Sequence, residues 1–371
     1  MKILFYDYYR YFSLISNEKN EVHGGFTKQL RGWLEGFINN GWNVCVMVLN
    51  GQKEILEKYQ SNYDYIETYK KNKGLKYLRL ILTIIPSYIK VIKNNKPEYL
   101  FLGGADYHVV ILFSICKLLK IKTIYRPTND IEFDDRLYLR KNYLNIHFFK
   151  LGRRLSDYIL CQNDYQYNKS IKLYPKKNVL KIQNPIITNN NTKSFVKGDY
   201  VSWLGIFQKQ KNLELLIEII KKCPEIKFKI AGKPKERENY TTSLIAELNR
   251  LQNVELIGYL NQKEIPQFLG ESFCHLNTSH YEGFPNTFLE SWLVGTLVLS
   301  PVHINPDSII TKHELGAIYN DVDECVKLIY DFKLININDY NKISLRLTDY
   351  INHNHSNINL TRNLIEKLVI K

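Results

Sequence analysis

Short apolar runs alternate with helix-length amphipathic segments along almost the whole chain. KILFYDYY, WNVCVMVL, EYLFLGG, KTIYRP and DYILCQN read as strands in the first half, and YVSWLG, KFKIAG, NVELIGY, FCHLNTS and TLVLSP restart the pattern in the second. The intervening segments read as helices: in NLELLIEIIKKC, Leu213, Leu216, Ile217 and Ile220 fall on one face at helical spacing. Strands that alternate with helices argue for parallel sheets built from βαβ units. The stretch TNNNTKSFVKGD, residues 188–199, is polar and lacks apolar periodicity, which makes it the expected linker between domains at 1–187 and 200–350. A length of 371 residues suits two such domains. The expected class is therefore α/β, two doubly wound Rossmann-like sheets, with ligands bound in a cleft outside the carboxyl ends of the strands.

Composition changes this picture in one respect. A hydrophobic share of 44% and a charged share of 24% are globular values, but Lys and Arg outnumber Asp and Glu by 51 to 37, a net charge of +14. That excess favours anionic partners: nucleic acid, acidic lipid or phosphorylated substrates. The six cysteines (Cys45, Cys116, Cys161, Cys223, Cys274, Cys325) are scattered, with no CxxC or Cys/His cluster, which suits a reducing cytoplasm and no zinc site. Asp7 and Arg10 interrupt the N-terminal apolar run, so it reads as a first strand and not a signal peptide. The longest apolar run, LILTIIPSYI at 80–89, contains Pro86 and falls well short of the roughly 20 residues that span a bilayer. Lys70 to Lys96 holds eight Lys or Arg and no acid among Leu, Ile and Tyr. It reads either as a basic amphipathic helix for an anionic membrane surface or as a core helix with a solvated basic face. No nucleic-acid-binding motif accompanies the charge.

The candidate chemistry gathers in HYEGFPNTFLESWLVGTLVLS, residues 280–300. CHLNTS is the strand before it, HYEGFPN the loop at its carboxyl end, and TFLESWLVG a helix whose first turn offers unpaired N–H groups and the positive end of a dipole. Two acids stand there, Glu282 and Glu290. On local chemistry alone, Thr287 and Glu290 also fit a capping box, and Glu282 a solvated loop acid. His23-Gly24-Gly25 opens the helix after the first strand, where Gly24 and Gly25 let backbone approach a ligand. No GxGxxG or GxxxxGK[ST] occurs, and the single DxD, Asp321-Val322-Asp323, suits a helix N-terminus better than a cation.

Glu282 to Glu290 is E-x7-E, and EGFPNTFLESWLVGTLVLSP resembles the signature of the group 1 retaining glycosyltransferases, a GT-B family that uses nucleotide-sugar donors. HGGFTKQLRGWLEGFINNGWNVCVMVL, LSDYILCQNDYQYNKSIKLYPKKNVLKIQNPI and YVSWLGIFQKQKNLELLIEIIKKCPEIKFKIAGKP extend the likeness over nearly the whole chain. The resemblance implies that Glu290 accepts hydrogen bonds from the donor ribose and that Glu282 contacts the transferred sugar. It implies that backbone at Phe284, Asn286 and Thr287 holds diphosphate or sugar oxygens, and that Gly205 and Gly232 border the donor. Lys211 matches the basic residue that neutralises the diphosphate. Its usual Arg partner is Ile206 here, with Lys209 the nearest substitute. A His common in relatives is also absent: IYRPTNDIEFDD places Arg126, Asn129 and Asp130 there, and Asp130 can orient or deprotonate an acceptor hydroxyl. By the same resemblance the donor is a UDP-sugar, no metal or other cofactor is obligatory, and the segment 351–371 crosses back to the first domain. It also implies an acceptor that is a glycan or a lipid-linked oligosaccharide, in surface-polysaccharide synthesis at the cytoplasmic face of a membrane. A sugar-nucleotide epimerase of the same fold and a non-catalytic basic binding module are the alternatives.

Overall fold

The computed structural model describes residues 1–6, 25–59, 62–70, 76–139, 142–188, 196–234 and 240–369. The chain divides into unit 1, Met1–Pro185 with Asn357–Lys371, and unit 2, Ile186–Ser356.

Unit 1 carries seven parallel strands: β1 (Lys2–Tyr6), β2 (Asn43–Val48), β3 (Asp64–Glu67), β4 (Tyr99–Gly103), β5 (Lys122–Arg126), β6 (Tyr158–Cys161) and β7 (Asn178–Lys181), in the order β3-β2-β1-β4-β5-β6-β7. Its helices before the domain crossing are α1 (Gly25–Asn39), α2 (Lys53–Tyr59), α3 (Lys76–Arg79), α4 (Ile85–Asn95), α5 (His108–Leu118), α6 (Tyr143–Leu155) and α7 (Asp164–Leu173), with a π-helical turn Leu80–Ile84 joining α3 to α4. The middle strands are apolar on both faces because helices cover both: Ile3, Leu4 and Phe5 are wholly buried, as are Leu100 and Phe101.

Unit 2 has six parallel strands, β8 (Tyr200–Leu204), β9 (Lys227–Ala231), β10 (Val254–Gly258), β11 (Ser272–Leu276), β12 (Leu297–Pro301) and β13 (Gly316–Tyr319), ordered β10-β9-β8-β11-β12-β13. Its helices are α8 (Leu213–Lys221), α9 (Tyr240–Leu248), α10 (Ile265–Gly270), α11 (Asn286–Leu293), α12 (Ile309–Lys312), α13 (Val322–Leu334) and α14 (Ile337–Asn354). The expected face of α8 is the buried one, Leu213, Leu216, Ile217 and Ile220 lying in the core with Ile219.

The C-terminal segment departs from the single helix expected over 351–371. α14 runs to Asn354 inside unit 2, and a separate helix, α15 (Asn357–Val369), belongs to unit 1. There Leu360, Leu364 and Leu368 join the core, and Tyr99 Oη donates to Leu368 O at 3.0 Å. Gly36 on α1 makes this docking possible: a Cβ there would fall 2.1 Å from Thr361 Oγ1. Most of the expected linker, 189–195, lies outside the described residues. Among the described residues no helix is long and apolar enough to cross a membrane, and all six cysteines are buried free thiols.

Candidate functional site

In unit 2 the strand order reverses between β8 and β11, so the loops after these two strands diverge from a crevice at their carboxyl ends, the place where doubly wound sheets bind ligands. The loop after β8 ends in a 3-10 turn, Lys209–Lys211, and the loop after β11 runs from Asn277 to Pro285. Backbone-directed bonds stitch the two together. His280 N donates to Gln210 O at 2.9 Å, Gln210 Nε2 to Tyr281 O at 2.7 Å, and Thr278 Oγ1 to Lys211 O at 2.7 Å. Trp203 Nε1 holds the Thr278 hydroxyl in turn, at 3.0 Å.

The result brings Lys211 Nζ within 2.6 Å of Glu282 Oε1, across 71 positions of sequence. Ser279 Oγ donates to the same oxygen at 2.9 Å. With side chains only 18% and 14% exposed, this pair is screened far less than a surface salt bridge. Gly205 shapes the crevice from below, since a Cβ there would lie 3.4 Å from Lys211 Cδ and Cε and 3.1 Å from the Trp203 ring. Gly232, at φ +152, passes so close that a Cβ would sit 1.9 Å from Gly205 O. Gly232, after β9, is thus required where it passes the loop that follows β8, and Gly205 leaves room for the Lys211 stem. Beneath them His275 is buried 3.3 Å from Ser202 Oγ, and burial, reinforced by the charge of Lys211, pushes its pKa down to about 3, so it is neutral at physiological pH.

α11 begins at Asn286, with Pro285 as its N-cap in an extended conformation. This corrects the capping-box alternative for Glu290. A capping box would need Thr287 at the cap, but Thr287 is the second helical residue and Glu290 stands a full turn inside. The helix starts earlier because Pro285, fixed near φ −65, is well placed for entry. Side chains on a helix lean toward its N-terminus, so Glu290 lies on the same face as Asn286 and Thr287, one turn earlier. The other face, Phe288, Leu289, Ser291 and Trp292, is buried. Phe284 is buried before the helix, its ring centroid 5.5 Å from that of His355. Lys209 is exposed at the start of the 3-10 turn, and Ile206 is half-buried.

In unit 1, Asp130 follows β5 and opens a 3-10 turn, Asp130–Phe133, whose N-cap Asn129 forms a capping box with Glu132. Asp130 Oδ1 accepts from Asn163 Nδ2 at 3.0 Å and Gln166 Nε2 at 2.9 Å, both from the start of α7. Burial raises its pKa to about 7, against the lowering effect of those amides. Arg126 has a different fate: wholly buried, it donates to the carbonyls of Leu160, Cys161 and Ile182 and to Asn184 Oδ1, a structural knot of the sheet. Gly25 begins α1, while Gly24 and His23 lie outside the described residues. Asp321 caps α13, accepting from Glu324 N at 2.9 Å, and Asp323 pairs with Lys222 at 2.6 Å, so the DxD acids serve a helix start. Ser279, Thr278 and Gln210 were not singled out by the sequence; the nearness of Ser279 to Glu282 was the one available signal.

Residues 188–343 match the family model of glycosyl transferases group 1. An uncharacterized 41.2 kDa protein of the cps region of Klebsiella pneumoniae is 23% identical over 262 residues, 65% of this chain and 71% of that protein. An uncharacterized glycosyltransferase of Methanocaldococcus jannaschii is 27% identical over 245 residues, 57% of each chain. Among solved structures, Anabaena HepE in complex with UDP and glucose superposes with a TM-score of 0.75 at 14% identity over 100% of both chains. Staphylococcus aureus TarM, a mutant in complex with fondaparinux, α-GlcNAc-glycerol and UDP, gives 0.73 at 12% identity, covering 98% of this chain and 99% of that one. At such identities these structures establish a shared fold.

Proposed function

We propose, from the premise that this chain is a group 1 glycosyltransferase of the GT-B fold, that it transfers a sugar from a UDP-sugar to a glycan or lipid-linked oligosaccharide with retention at the anomeric carbon. The cps-region relative and the UDP-bound neighbours support a role in bacterial surface-polysaccharide synthesis with a uridine donor. The observation that carries the reading is the Lys211–Glu282 pair, held at 2.6 Å at the switch point of unit 2 and followed at once by the N-terminus of α11.

Each part has a role in that chemistry. The incoming diphosphate draws Lys211 and the first-turn N–H groups of α11, at Asn286 and Thr287, which together supply positive potential where charge develops on the leaving group. No metal is needed for that task. Glu282 then faces the transferred sugar and Glu290 the ribose. The bond from the anomeric carbon to the phosphate oxygen breaks, and the acceptor oxygen bonds to that carbon on the same face. Asp130 in unit 1 takes the acceptor proton when ionised. Lys209, exposed beside Lys211, stands in for the missing Arg at Ile206.

The test combines binding and stereochemistry. UDP at about 100 times its dissociation constant should stabilise the fold by roughly 2.7 kcal/mol, seen as a raised Tm. Lys211→Ala should abolish most of that shift, measured against the free variant's own Tm, which falls because Glu282 loses its partner. Proton NMR of the product should show the donor's anomeric configuration. An inverted product would remove the retaining assignment, and epimerised sugar formed without acceptor would move the chain to the epimerase alternative.

A further inference from the structure

The α-helices of unit 1 between β3 and β6, and the π turn among them, contain no Asp or Glu: α3, the π turn, α4, α5 and α6 are acid-free, whereas every other described α-helix of eight residues or more holds at least one. The acids of this stretch (Glu98, Asp106, Asp130, Glu132, Asp134, Asp135, Asp157) sit in its loops and 3-10 turns. They also share a face. Strands β1, β4, β5 and β6 are successive neighbours, so right-handed crossovers place α4, α5 and α6 in one layer, and α5 packs against both others. α1 and α2 connect strands laid down in the opposite direction and cover the other face, where α15 joins α1.

The outward side of this layer is unusually apolar and basic. Leu78, Ile81 and Leu82 at the start of the α3–α4 run, and Tyr143, Leu144 and Phe148 on α6, are between 42% (Phe148) and 72% (Tyr143) exposed. On α6, Tyr143, Leu144, His147, Phe148 and Leu151 fall within one arc of the helix, with Lys150 at one edge of it and Arg154 inside it. Lys90 and Lys93 on α4, Lys96 just after it, and Lys117 at the end of α5 are exposed as well. Acids adjoin α6 at both ends: Asp134, which pairs with Arg136 at 2.7 Å, and the exposed Asp135 before it, and the half-buried Asp157, which accepts from Thr123 N and Oγ1 at 2.8 Å, after it.

We propose that this layer is a docking surface for an anionic lipid bilayer. Charge selects the occupant: the cations toward the ends of these acid-free helices are matched by negative headgroups, and the apolar side chains toward their starts are matched by the acyl boundary, which a solvated nucleic-acid backbone does not offer. Tyr143 suits the headgroup level, with Leu144 and Phe148 just below it. α4 and α6 lie two helix spacings apart, roughly 16–20 Å, so two separate apolar clusters fix the tilt of the unit on the surface. Because crossover helices run against their strands, both clusters stand toward the carboxyl edge of the sheet, the edge that carries Asp130. For the lipid-linked acceptor proposed above, this would bring that edge to the membrane; the docking itself does not depend on that reading.

The test uses the full chain and no sugar. Flotation with vesicles of phosphatidylglycerol and phosphatidylcholine should recover the protein at low salt, with little recovery on phosphatidylcholine alone. Replacing Lys90, Lys93 and Lys96 by Gln should weaken binding roughly 100-fold, about 5-fold for each cation, and flatten its salt dependence. Leu144→Ser with Phe148→Ser should weaken it at least about 10-fold at any salt, with a fold kept intact and only a small fall in Tm from the buried part of Phe148. Equal recovery on neutral vesicles, or wild-type binding by the Leu144/Phe148 variant, would overturn the proposal. So would a concentration-dependent dimer that this variant dissolves, which would assign the face to a second copy, or RNA capture that displaces the vesicles.

Discussion

Glu290 stands on the second turn of α11, where a helix cap has nothing left to hold. If its carboxylate serves the donor ribose, Glu290→Gln and Glu290→Ala should both lower kcat/KM or donor affinity on the order of 10- to 100-fold, the size of a hydrogen bond to a charged acceptor. Glu290→Gln, which keeps the shape of this half-buried side chain, should stay within about 0.5 kcal/mol of wild-type stability, because no cap is lost. Wild-type kinetics in the Gln variant would withdraw Glu290 from the donor site. Asp130 makes a different prediction, through pH. Burial lifts its pKa to about 7, so it is mostly protonated at pH 6 and cannot accept a proton there. kcat/KM for the acceptor should therefore climb about tenfold per pH unit below 7 and level off above it, and Asp130→Asn should lower the rate and erase that limb. The raised value also means that ionising Asp130 costs stability as pH rises from about 4 to 7, a loss the Asn variant escapes. A denaturant series that shows the same pH dependence in both proteins would contradict the buried carboxyl. At this scale the sequence could name Glu282 and Lys211 only through a family pattern. The partners that fix them, Ser279, Thr278 and Gln210, follow from two loops meeting, which no local signal announces.

At the scale of elements, nine of the ten strands legible as apolar runs are interior strands that their neighbours and covering helices bury, and the tenth, β10, is a partly exposed edge strand. β3, β7 and β13 were missed, and they are three of the four edge strands, four residues each and partly exposed. A short edge strand has no continuous apolar run, because one side faces solvent and its pairing partner is set by the sheet already formed. The start of α11 shows the same limit at a helix. A Thr and a Glu three positions apart satisfy the capping pattern, but Pro285 and the buried Phe284 fix where the chain enters, and the helix begins one residue before the Thr. The basic run from Lys70 to Lys96 is helical where it is described beyond Lys76, but its exposed apolar residues, Leu78, Ile81 and Leu82, lie ahead of its exposed lysines and not among them. Composition located the charge; only the packing of α4 on α5 determined which side chains remain outside.

For the whole molecule, the polar stretch 188–199 was the expected change of unit, and the division between units falls just before it, between Pro185 and Ile186. The return of the chain was less legible. Leu360, Leu364 and Leu368 recur at helical spacing and so demand an apolar partner, but the stripe does not say which core supplies it. The structure assigns it to unit 1, and that assignment can be tested by ending the chain at Ser356. Losing three buried leucines costs roughly 2–5 kcal/mol each, about 6–15 kcal/mol in all, against a typical domain stability of about 5–15 kcal/mol. Unit 1 should therefore lose its fixed structure in the truncated protein, while unit 2 keeps every strand of its own sheet and the core packed on it. Hydrogen exchange separates the two outcomes: amides of β1 and β4 should exchange fast, and those of β8 and β11 should stay protected. If the truncated chain still binds UDP, the donor site is self-sufficient in unit 2. Continued protection of β1 and β4 would mean that α15 is an accessory to unit 1 and that its core closes without the last helix.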